Sequence, residues 1–133
     1  MNEARIAVGM QSLGVIEGSI GYAVNYANER QQFGKPISTF QSVSNRIADM
    51  KLRLETSRLL LYKVAWIKSQ GKSAMLESAL LKLQLSESFV TSSMDTIRNH
   101  GGYGYLSENE VERDLRDAIG GVIYAGTSDI QRN

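Results

Sequence analysis

The sequence of 133 residues contains no cysteine and a single histidine, His100. Without cysteine the chain forms no disulfide, no zinc–thiolate site and no thiolate nucleophile. One histidine excludes a multi-histidine metal site within this chain, and the Glu-x-x-His pairs of a di-metal helical bundle are also missing. We therefore expect no metal.

An excess of charge of either sign and a long apolar run are also missing. The net charge is +1, from 15 basic and 14 acidic residues, which gives no electrostatic reason to expect nucleic acid or an anionic membrane as partner. No apolar run approaches the roughly 20 residues of a membrane span. The N-terminus, MNEARIAVGM, lacks the apolar segment of a secretory signal.

Only one proline, Pro36, interrupts the chain, and apolar residues recur at the three- and four-residue spacing of helices. A first helix is predicted to end near residues 30–32. Glycine and proline at positions 34 and 36 then break it. Its expected apolar positions are Ile6, Met10, Leu13, Ile16, Ile20, Ala23 and Ala27.

Two further long helices are predicted, one from a Ser38 or Thr39 cap to about Ser69, the other from a Ser73 cap to Gly101–Gly102. Short helices are expected near residues 108–116 and from Thr127 or Ser128 onward. Three long amphipathic helices with short connections favour an antiparallel all-α bundle in one domain. The apolar positions of the third helix are Leu76, Leu80, Leu83, Val90, Met94 and Ile97.

Three segments carry polar chemistry. In ERQQFGKPISTFQ (29–41), Arg30, Lys35 and two glutamines form a corner that suits a phosphate or a heterocycle edge, or a plain helix–helix turn with a solvated arginine. HGGYGY (100–105) allows close backbone approach to a ligand, although a helix end followed by a turn explains most of it, with His100 structural rather than a catalytic base. GTSD (126–129) is typical of a helix N-terminus that attracts anions or carbonyl oxygens.

The order of RQQFGKPISTFQ, IADMKLRLETSRLLLY, HGGYGY, VERDLRDA and IYAGTSDIQR resembles the C-terminal helical domain of acyl-CoA dehydrogenases, from Arg5 to Arg132. The resemblance implies an antiparallel four-helix bundle over residues 1–133, without the N-terminal helical and middle β domains of that family. It implies FAD-dependent α,β-dehydrogenation of an acyl-CoA or acyl-carrier-protein thioester, as in fatty acid metabolism. Electron-transfer flavoprotein or oxygen is the implied acceptor, a homodimer or homotetramer the assembly, and bacterial cytoplasm or mitochondrial matrix the location.

The resemblance also assigns residues by position. Matches near the acyl thioester are Asn2, Arg5, Tyr124, Ala125 and Gly126. Two flavin-site positions depart from the family, since Arg98 replaces a usual glutamine and Asp129 a frequent Glu or Gln. We expect the isolated chain not to retain FAD, because two subunits build that site. The matches to flavin-binding positions are Arg30, Gln32, Phe33, Gln41, Arg98, Gly101, Gly102, Thr127 and Asp129.

The catalytic position is the main departure, because most of the family has glutamate where this chain has Ala125. A methyl group accepts no proton, and loss of a general base costs about 10²–10⁴-fold in rate. A minority of the family places the base immediately before the arginine matched by Arg5, and that position is Ala4. Glu3 is a weak candidate base or simply an acid at a helix start. Two functions follow: a domain of an acyl thioester dehydrogenase, or a non-catalytic homologue that acts as an assembly or thioester-binding module.

Overall fold

A computed structural model describes residues 2–133, with the side chain of Asn2 outside that description. Three long helices dominate: α1 (Asn2–Glu29), α2 (Gln41–Ser69) and α3 (Met75–His100). They are followed by α4 (Gly102–Tyr105), α5 (Val111–Gly121) and α6 (Ser128–Arg132). None of the described helices is long and apolar enough to cross a membrane.

The four longest helices form an up-down-up-down bundle, in which each of these helices runs antiparallel to the one before it in the chain. Early residues of α2 contact late residues of α3, as in the ion pair of Arg53 with Asp95, so these helices run in opposite directions. Late residues of α1 contact late residues of α3, so these two are parallel. The side chain of Ser19 on α1 contacts Asp114 near the start of α5, which runs back along them. The expected all-α bundle is confirmed.

The corner between α1 and α2 is a short β-hairpin, with two residues in each strand, that the sequence did not predict. Strand β1 (Gln31–Gln32) pairs antiparallel with β2 (Lys35–Pro36), and a turn at Phe33 and Gly34 closes it with φ of 55° and 78°. A 3₁₀ turn, Ile37–Thr39, leads into α2. Phe33 is a left-handed non-glycine residue, a strained state that is uncommon outside functional sites.

The predicted caps of α2 and α3 are wrong. Phe40 precedes α2 and Ala74 precedes α3, and neither makes a side-chain capping bond. The Thr39 hydroxyl instead donates to the Pro36 carbonyl at 2.8 Å, closing the 3₁₀ turn. The cap of the last helix is confirmed, because Thr127 Oγ1 accepts from the Ile130 N–H at 3.2 Å.

The expected buried faces are partly wrong. On α1, Ile16, Ala23 and Ala27 are buried as predicted, but Met10 is half exposed. On α3, Leu76 and Leu80 are exposed, and the fully buried face lies about two residues further along than the predicted one. Since α3 packs against α1, α2, α5 and α6, hydroxyls that bond their own helix replace apolar groups around much of it. The buried positions of α3 include Ser78, Leu81, Lys82, Leu85, Ser86, Phe89, Ser92 and Ser93.

Candidate functional site: a cleft at the end of the bundle and the loop after α5

A cleft of about 820 Å³ opens at the end of the bundle where α1 meets the hairpin and α3 ends. Its position follows from the fold, because the breaks at the hairpin and at Gly101 end two parallel helices at the same level. Its lining residues come from α1, the hairpin and the 3₁₀ turn, α2, the end of α3, and α4 with the residue after it. They are Tyr26, Arg30, Gln32, Phe33, Ile37, Phe40, Ser42, Val43, Arg98, Asn99, His100, Gly101, Gly102, Tyr103 and Leu106.

One side of the cleft is a stack of rings. Tyr26 and His100 stack with centroids 4.2 Å apart and planes 26° from parallel. Tyr103 lies 6.3 Å from Tyr26, and the Arg30 guanidinium sits 5.3 Å from the centre of the Tyr103 ring. Stacked rings with a cation at one end suit a flat, anionic heteroaromatic ligand.

The hairpin supplies further rings. Phe33 and Phe40 meet edge to face at 5.9 Å, and Lys35 Nζ lies 4.6 Å from the centre of the Phe40 ring. Phe33 is nevertheless 90% exposed, which is unfavourable for so apolar a side chain. The ring is therefore available to a ligand or to another protein surface.

Glycines bring the backbone to the same cleft. Gly101 ends α3 with φ 61° and ψ −138°, a conformation that is essentially restricted to glycine. A side chain built at Gly101 or Gly102 would meet no atom within 4 Å, so their surfaces face open space. Gly104 differs, because a Cβ there would lie 2.8 Å from the Ile97 carbonyl oxygen. The first two glycines allow ligand approach, while the third allows α4 to pack on α3.

Two side chains at the end of α3 each have one polar atom that is hydrogen-bonded and a second polar atom that has no partner among the described residues. Arg46 Nη1 donates to Asn99 Oδ1 at 2.7 Å, which leaves the buried Asn99 Nδ2 unpaired. His100 Nδ1 bonds the Thr96 carbonyl at 2.8 Å, and its Nε2 makes no bond. An orphaned donor and two arginines beside stacked rings fit the anionic, aromatic FAD that the resemblance implies.

The second site is the loop after α5. Ala125 and Gly126 adopt left-handed φ angles of 56° and 89°. Gln131 Nε2 holds both of their carbonyl oxygens, at 3.2 and 3.1 Å. The backbone N–H of Ala125 has no hydrogen-bond partner within residues 2–133. The loop thus presents one fixed, free donor.

Tyr124 connects this loop to a second cleft of about 410 Å³ between α1, α3 and α5. The Tyr124 ring packs against Gly120, because a Cβ added to Gly120 would lie only 3.3 Å from Tyr124 Cε1. Phe89 and Val15 add apolar surface to the lining of the cleft, while Arg116 and Asp117 add opposite charges. The lining of this cleft therefore combines apolar and charged side chains.

The structure brings together some of the expected residues and separates others. The large cleft collects Arg30, Gln32, Phe33, Arg98, Gly101 and Gly102. Gln41, Thr127 and Asp129 lie outside its lining; Asp129 pairs with Arg132 at 3.1 Å. Glu3 lies 4.0 Å from Lys68 on α2, and the side chain of Asn2 is outside the described residues.

Sequence reasoning missed Tyr26, Phe40, Asn99 and Tyr103 as lining residues, and it placed His100 among structural groups. One signal was available, since Tyr26 lies four residues before Arg30 and so shares its helix face. The remaining rings come from separate elements and meet only in the fold.

Known proteins share this sequence pattern and this fold. The pattern described as "Acyl-CoA dehydrogenase, C-terminal domain" matches residues 1–133. The chain is 48% identical over 119 residues to an L-prolyl-[peptidyl-carrier protein] dehydrogenase of Pseudomonas fluorescens, covering 90% of the chain and 31% of that enzyme. It is 40% identical to an acyl-CoA dehydrogenase of Bacillus subtilis, with 99% and 35% covered.

Among solved structures, PigA with FAD and proline superposes with a TM-score of 0.96 at 42% identity, covering 99% of this chain and 34% of PigA. The chain spans about one third of the length of the relatives it matches. Family pattern, sequence identity and superposition agree over almost the whole chain, and it belongs to the acyl-CoA dehydrogenase C-terminal domain family.

Proposed function

We propose that this chain forms the C-terminal domain of an FAD-dependent dehydrogenase that acts on an acyl thioester. The observation that carries the proposal is the large cleft, in which stacked rings, Arg30, Arg98 and a glycine pair converge. PigA, which is similar over 99% of this chain, holds FAD and proline in its solved structure. The shared fold and this donor set support FAD as the ligand of the cleft.

The residues present suggest how the dinucleotide would be held. Arg30 and Arg98 supply fixed positive charge for phosphate oxygens, and Gly101 and Gly102 leave the backbone open to it. Tyr26 and Tyr103 supply ring faces. Bound FAD supplies the capacity to accept a hydride from the acyl β carbon.

The thioester would meet the loop after α5. The N–H of Ala125 is free, and Gln131 holds the neighbouring carbonyls in place. A free N–H in a fixed loop is the kind of donor that stabilises a carbonyl oxygen as negative charge develops on it. This chain therefore contributes carbonyl polarisation, with Tyr124 beside the acyl group.

The relatives favour a carrier-bound acyl group over a free coenzyme A ester. An L-prolyl-[peptidyl-carrier protein] dehydrogenase shares 48% identity, against 40% for the acyl-CoA dehydrogenase of Bacillus subtilis. The second cleft is small and edged by Arg116 and Asp117, which suits a compact polar acyl group better than a long alkyl chain. We take a small acyl group on a carrier protein as the substrate class.

A non-catalytic homologue is the second candidate, and one observation favours it. The family's usual base position is Ala125 and the alternative position is Ala4, so neither supplies a carboxylate. Glu3 is exposed and directed to Lys68 of α2. In this candidate the same surfaces bind flavin and thioester without proton abstraction.

Flavin bleaching separates the two candidates. The protein is expressed from its whole reading frame, its bound flavin is measured by absorbance, and reduction is followed after addition of prolyl-carrier protein or an acyl-CoA. Bleaching by the natural protein supports the dehydrogenase, and its persistence in Glu3→Gln rules out Glu3 as base. Bound flavin that bleaches only in Ala125→Glu supports the non-catalytic homologue. A protein that binds no FAD contradicts both.

We also propose that the bundle assembles with further copies of itself. The outer surfaces of α2 and of the start of α3 expose an unusual set of large apolar side chains, which in a lone domain would face water. An exposed apolar face of this size on long helices is typical of an interface between identical subunits. These side chains are Leu52, Leu59, Tyr62, Trp66, Met75, Leu76 and Leu80.

A further inference from the structure

Gln131 of α6 reaches back over the loop after α5 and donates from its side-chain amide to that loop. Its Nε2 lies 3.2 Å from the Ala125 carbonyl oxygen and 3.1 Å from the Gly126 carbonyl oxygen. Carbonyl oxygens only accept, so the amide atom that faces them has to be the nitrogen. The amide oxygen, Oε1, is buried and has no partner within residues 2–133, so the two loop carbonyls are what holds this amide in the described chain.

Both residues that Gln131 holds have left-handed backbone conformations. Gly126 has a φ of 89°, and a side chain there would overlap the Gln131 amide nitrogen, so the amide and the glycine fit only together. Ala125 has a φ of 56°, which is unfavourable for a residue that carries a Cβ. Such a conformation persists only where the surrounding structure imposes it. Gln131 is the side chain that bonds the loop at this point.

The backbone is anchored on both sides of Ala125. Before it, the Tyr124 N–H donates to the Gly120 carbonyl at 3.1 Å, and after it, the Ser128 N–H donates to the Val122 carbonyl at 3.0 Å. A return of Ala125 to the usual φ of about −63° is a rotation of roughly 120° about its N–Cα bond. Because both flanks are anchored, that rotation would fall mainly on the peptide unit before Ala125 and would redirect the Ala125 N–H.

We infer that Gln131 is a positioning residue, which selects the left-handed conformation of Ala125 and thereby aims the Ala125 N–H at the thioester carbonyl. Gln131 is only 6% exposed and acts through the loop rather than by contact with the ligand. A donor that is already aimed needs no reorganisation as negative charge develops on the carbonyl oxygen. The inference rests on the proposed function and names the residue that sets the carbonyl polarisation.

The carbonyl stretching frequency of a bound thioester tests the inference, because a hydrogen bond to the oxygen lowers that frequency. The protein is expressed from its whole reading frame and its flavin is reduced with dithionite, so that it accepts no hydride and the ligand stays intact. Infrared difference spectra are recorded with prolyl-pantetheine thioester, with and without an isotope label at the thioester carbonyl. We expect the natural protein to lower the frequency relative to the free thioester.

Gln131→Met is the first variant, because methionine keeps the length of the side chain and removes both donors. The carbonyl band should return toward the frequency of the free thioester, and thioester affinity should fall about three- to tenfold, the range of one hydrogen bond. Arg132→Gln is the matched control, since it changes the next residue of α6, whose ion pairs are with Glu87 and Asp129 and not with the loop. It should leave the carbonyl band in place.

Glycine at position 125 separates positioning from a general loss of stability. Ala125→Gly keeps the N–H and removes the Cβ that opposes the left-handed conformation. Added to Gln131→Met, it should restore part of the frequency shift. A loop disturbed only because α6 has come away from α3 would gain nothing from this second change.

Gln131→Glu supplies a pH-dependent version of the same test. At pH 7 its carboxylate has no donor for the two carbonyl oxygens, whereas the protonated form can donate to one of them. Burial beside two acceptors raises the pKa of this introduced carboxyl. The carbonyl frequency of the bound thioester should therefore fall between pH 7 and pH 5 in Gln131→Glu and stay constant in Gln131→Met.

The outcomes separate the inference from the proposed function. An unchanged frequency in Gln131→Met overturns the inference, while flavin and thioester binding keep the proposed function. A shift lost equally in Arg132→Gln also overturns it, because the docking of α6 and not the amide would then position the loop. If Gln131→Met fails to fold, Gln131→Glu at the two pH values decides alone, and a constant frequency there overturns the inference. Absence of FAD or thioester binding in the natural protein overturns both.

Discussion

Arg53 on α2 donates from Nη2 to Oδ2 of Asp95 on α3 at 2.6 Å. Asp95 is 5% exposed, and its other oxygen accepts from Arg98 at 3.3 Å and lies 3.8 Å from Arg46 Nε. Arg53 also donates to the Ser92 hydroxyl at 3.1 Å. One buried carboxylate therefore joins α2 to the part of α3 from which the cleft residues project.

Replacing Asp95 by Asn should lower the free energy of unfolding by about 3 kcal/mol, because the buried carboxylate is the shared counter-charge of partly buried guanidinium groups. The value lies at the lower end of the range for broken buried pairs, since the arginines retain contact with water. Urea unfolding at pH 7 measures it. Asp49→Asn removes an exposed acid of α2 and should change stability by less than about 0.5 kcal/mol. An equal effect of both variants would contradict the role of Asp95.

The helix bounds were largely predictable, but the buried face of α3 was not. Helix ends followed local breaks such as Gly101 and Pro36, whose backbone constraints are independent of the rest of the fold. The burial of α3 depends on neighbours on nearly every side. Ser86 hides its hydroxyl by bonding the Lys82 carbonyl at 2.7 Å, so a polar residue is buried without a signal in the apolar pattern.

Lys82 is fully buried, and its Nζ has no hydrogen-bond partner within residues 2–133. Burial lowers the pKa of its ammonium below 10.5, and the nearby Arg5 lowers the pKa further while Glu87 opposes. Lys82→Met should raise the free energy of unfolding at pH 7 by about 1–3 kcal/mol, since methionine has a similar shape and no charge to desolvate.

The pH dependence of that difference is a sharper measurement. Between the lowered folded pKa of Lys82 and 10.5, the unfolded state binds more protons than the folded state. The natural protein therefore gains stability as pH rises through this window, and the advantage of Lys82→Met shrinks. Chemical unfolding from pH 7 to 10 tests this. Lys63→Met, at an exposed lysine of α2, should show no such trend; a constant difference for Lys82→Met would refute the assignment.

The pKa of the Asp114 carboxyl is raised, whereas that of Lys82 is lowered. Burial raises the pKa of its carboxyl above 3.8, Asp117 and Glu112 add to the rise, and the Ser19 hydrogen bond at 3.0 Å opposes it. Its contribution to stability is full below 3.8 and is lost as pH rises through the raised pKa. Asp114→Asn should match the natural protein at pH 3 and exceed its free energy of unfolding at pH 7 by at most about 1 kcal/mol, because exposure screens the effect.

A companion variant isolates the burial at Asp114. Asp117→Asn removes an exposed acid from the same helix and should change stability little at either pH. Denaturant unfolding at pH 3, 5 and 7 compares the three proteins. If both variants gain equally at pH 7, general repulsion among the acids of α5 explains the effect and the burial of Asp114 does not.

The candidate site was predictable where one short segment carries it, as in the glycine pair and Arg30. It was not predictable where distant segments meet. Tyr26 and Tyr103 are separated by 77 positions (103 minus 26) yet lie 6.3 Å apart, a contact that only the parallel packing of α1 and α3 creates. The free Asn99 donor likewise depends on Arg46 from another helix.

The exposed apolar surface of α2 and α3 supplies the last prediction. Trp66 and Leu76 are 61% and 67% exposed, and replacing both by glutamate should convert the assembled protein to monomers, because charge cannot be buried unpaired at an interface. Analytical ultracentrifugation measures the mass, and circular dichroism should show unchanged helix content. Tyr22→Glu changes an equally exposed residue of α1 outside this surface and should leave the assembly intact. A natural protein that is already monomeric, or a double variant that still assembles, would show that α2 and α3 do not form the interface.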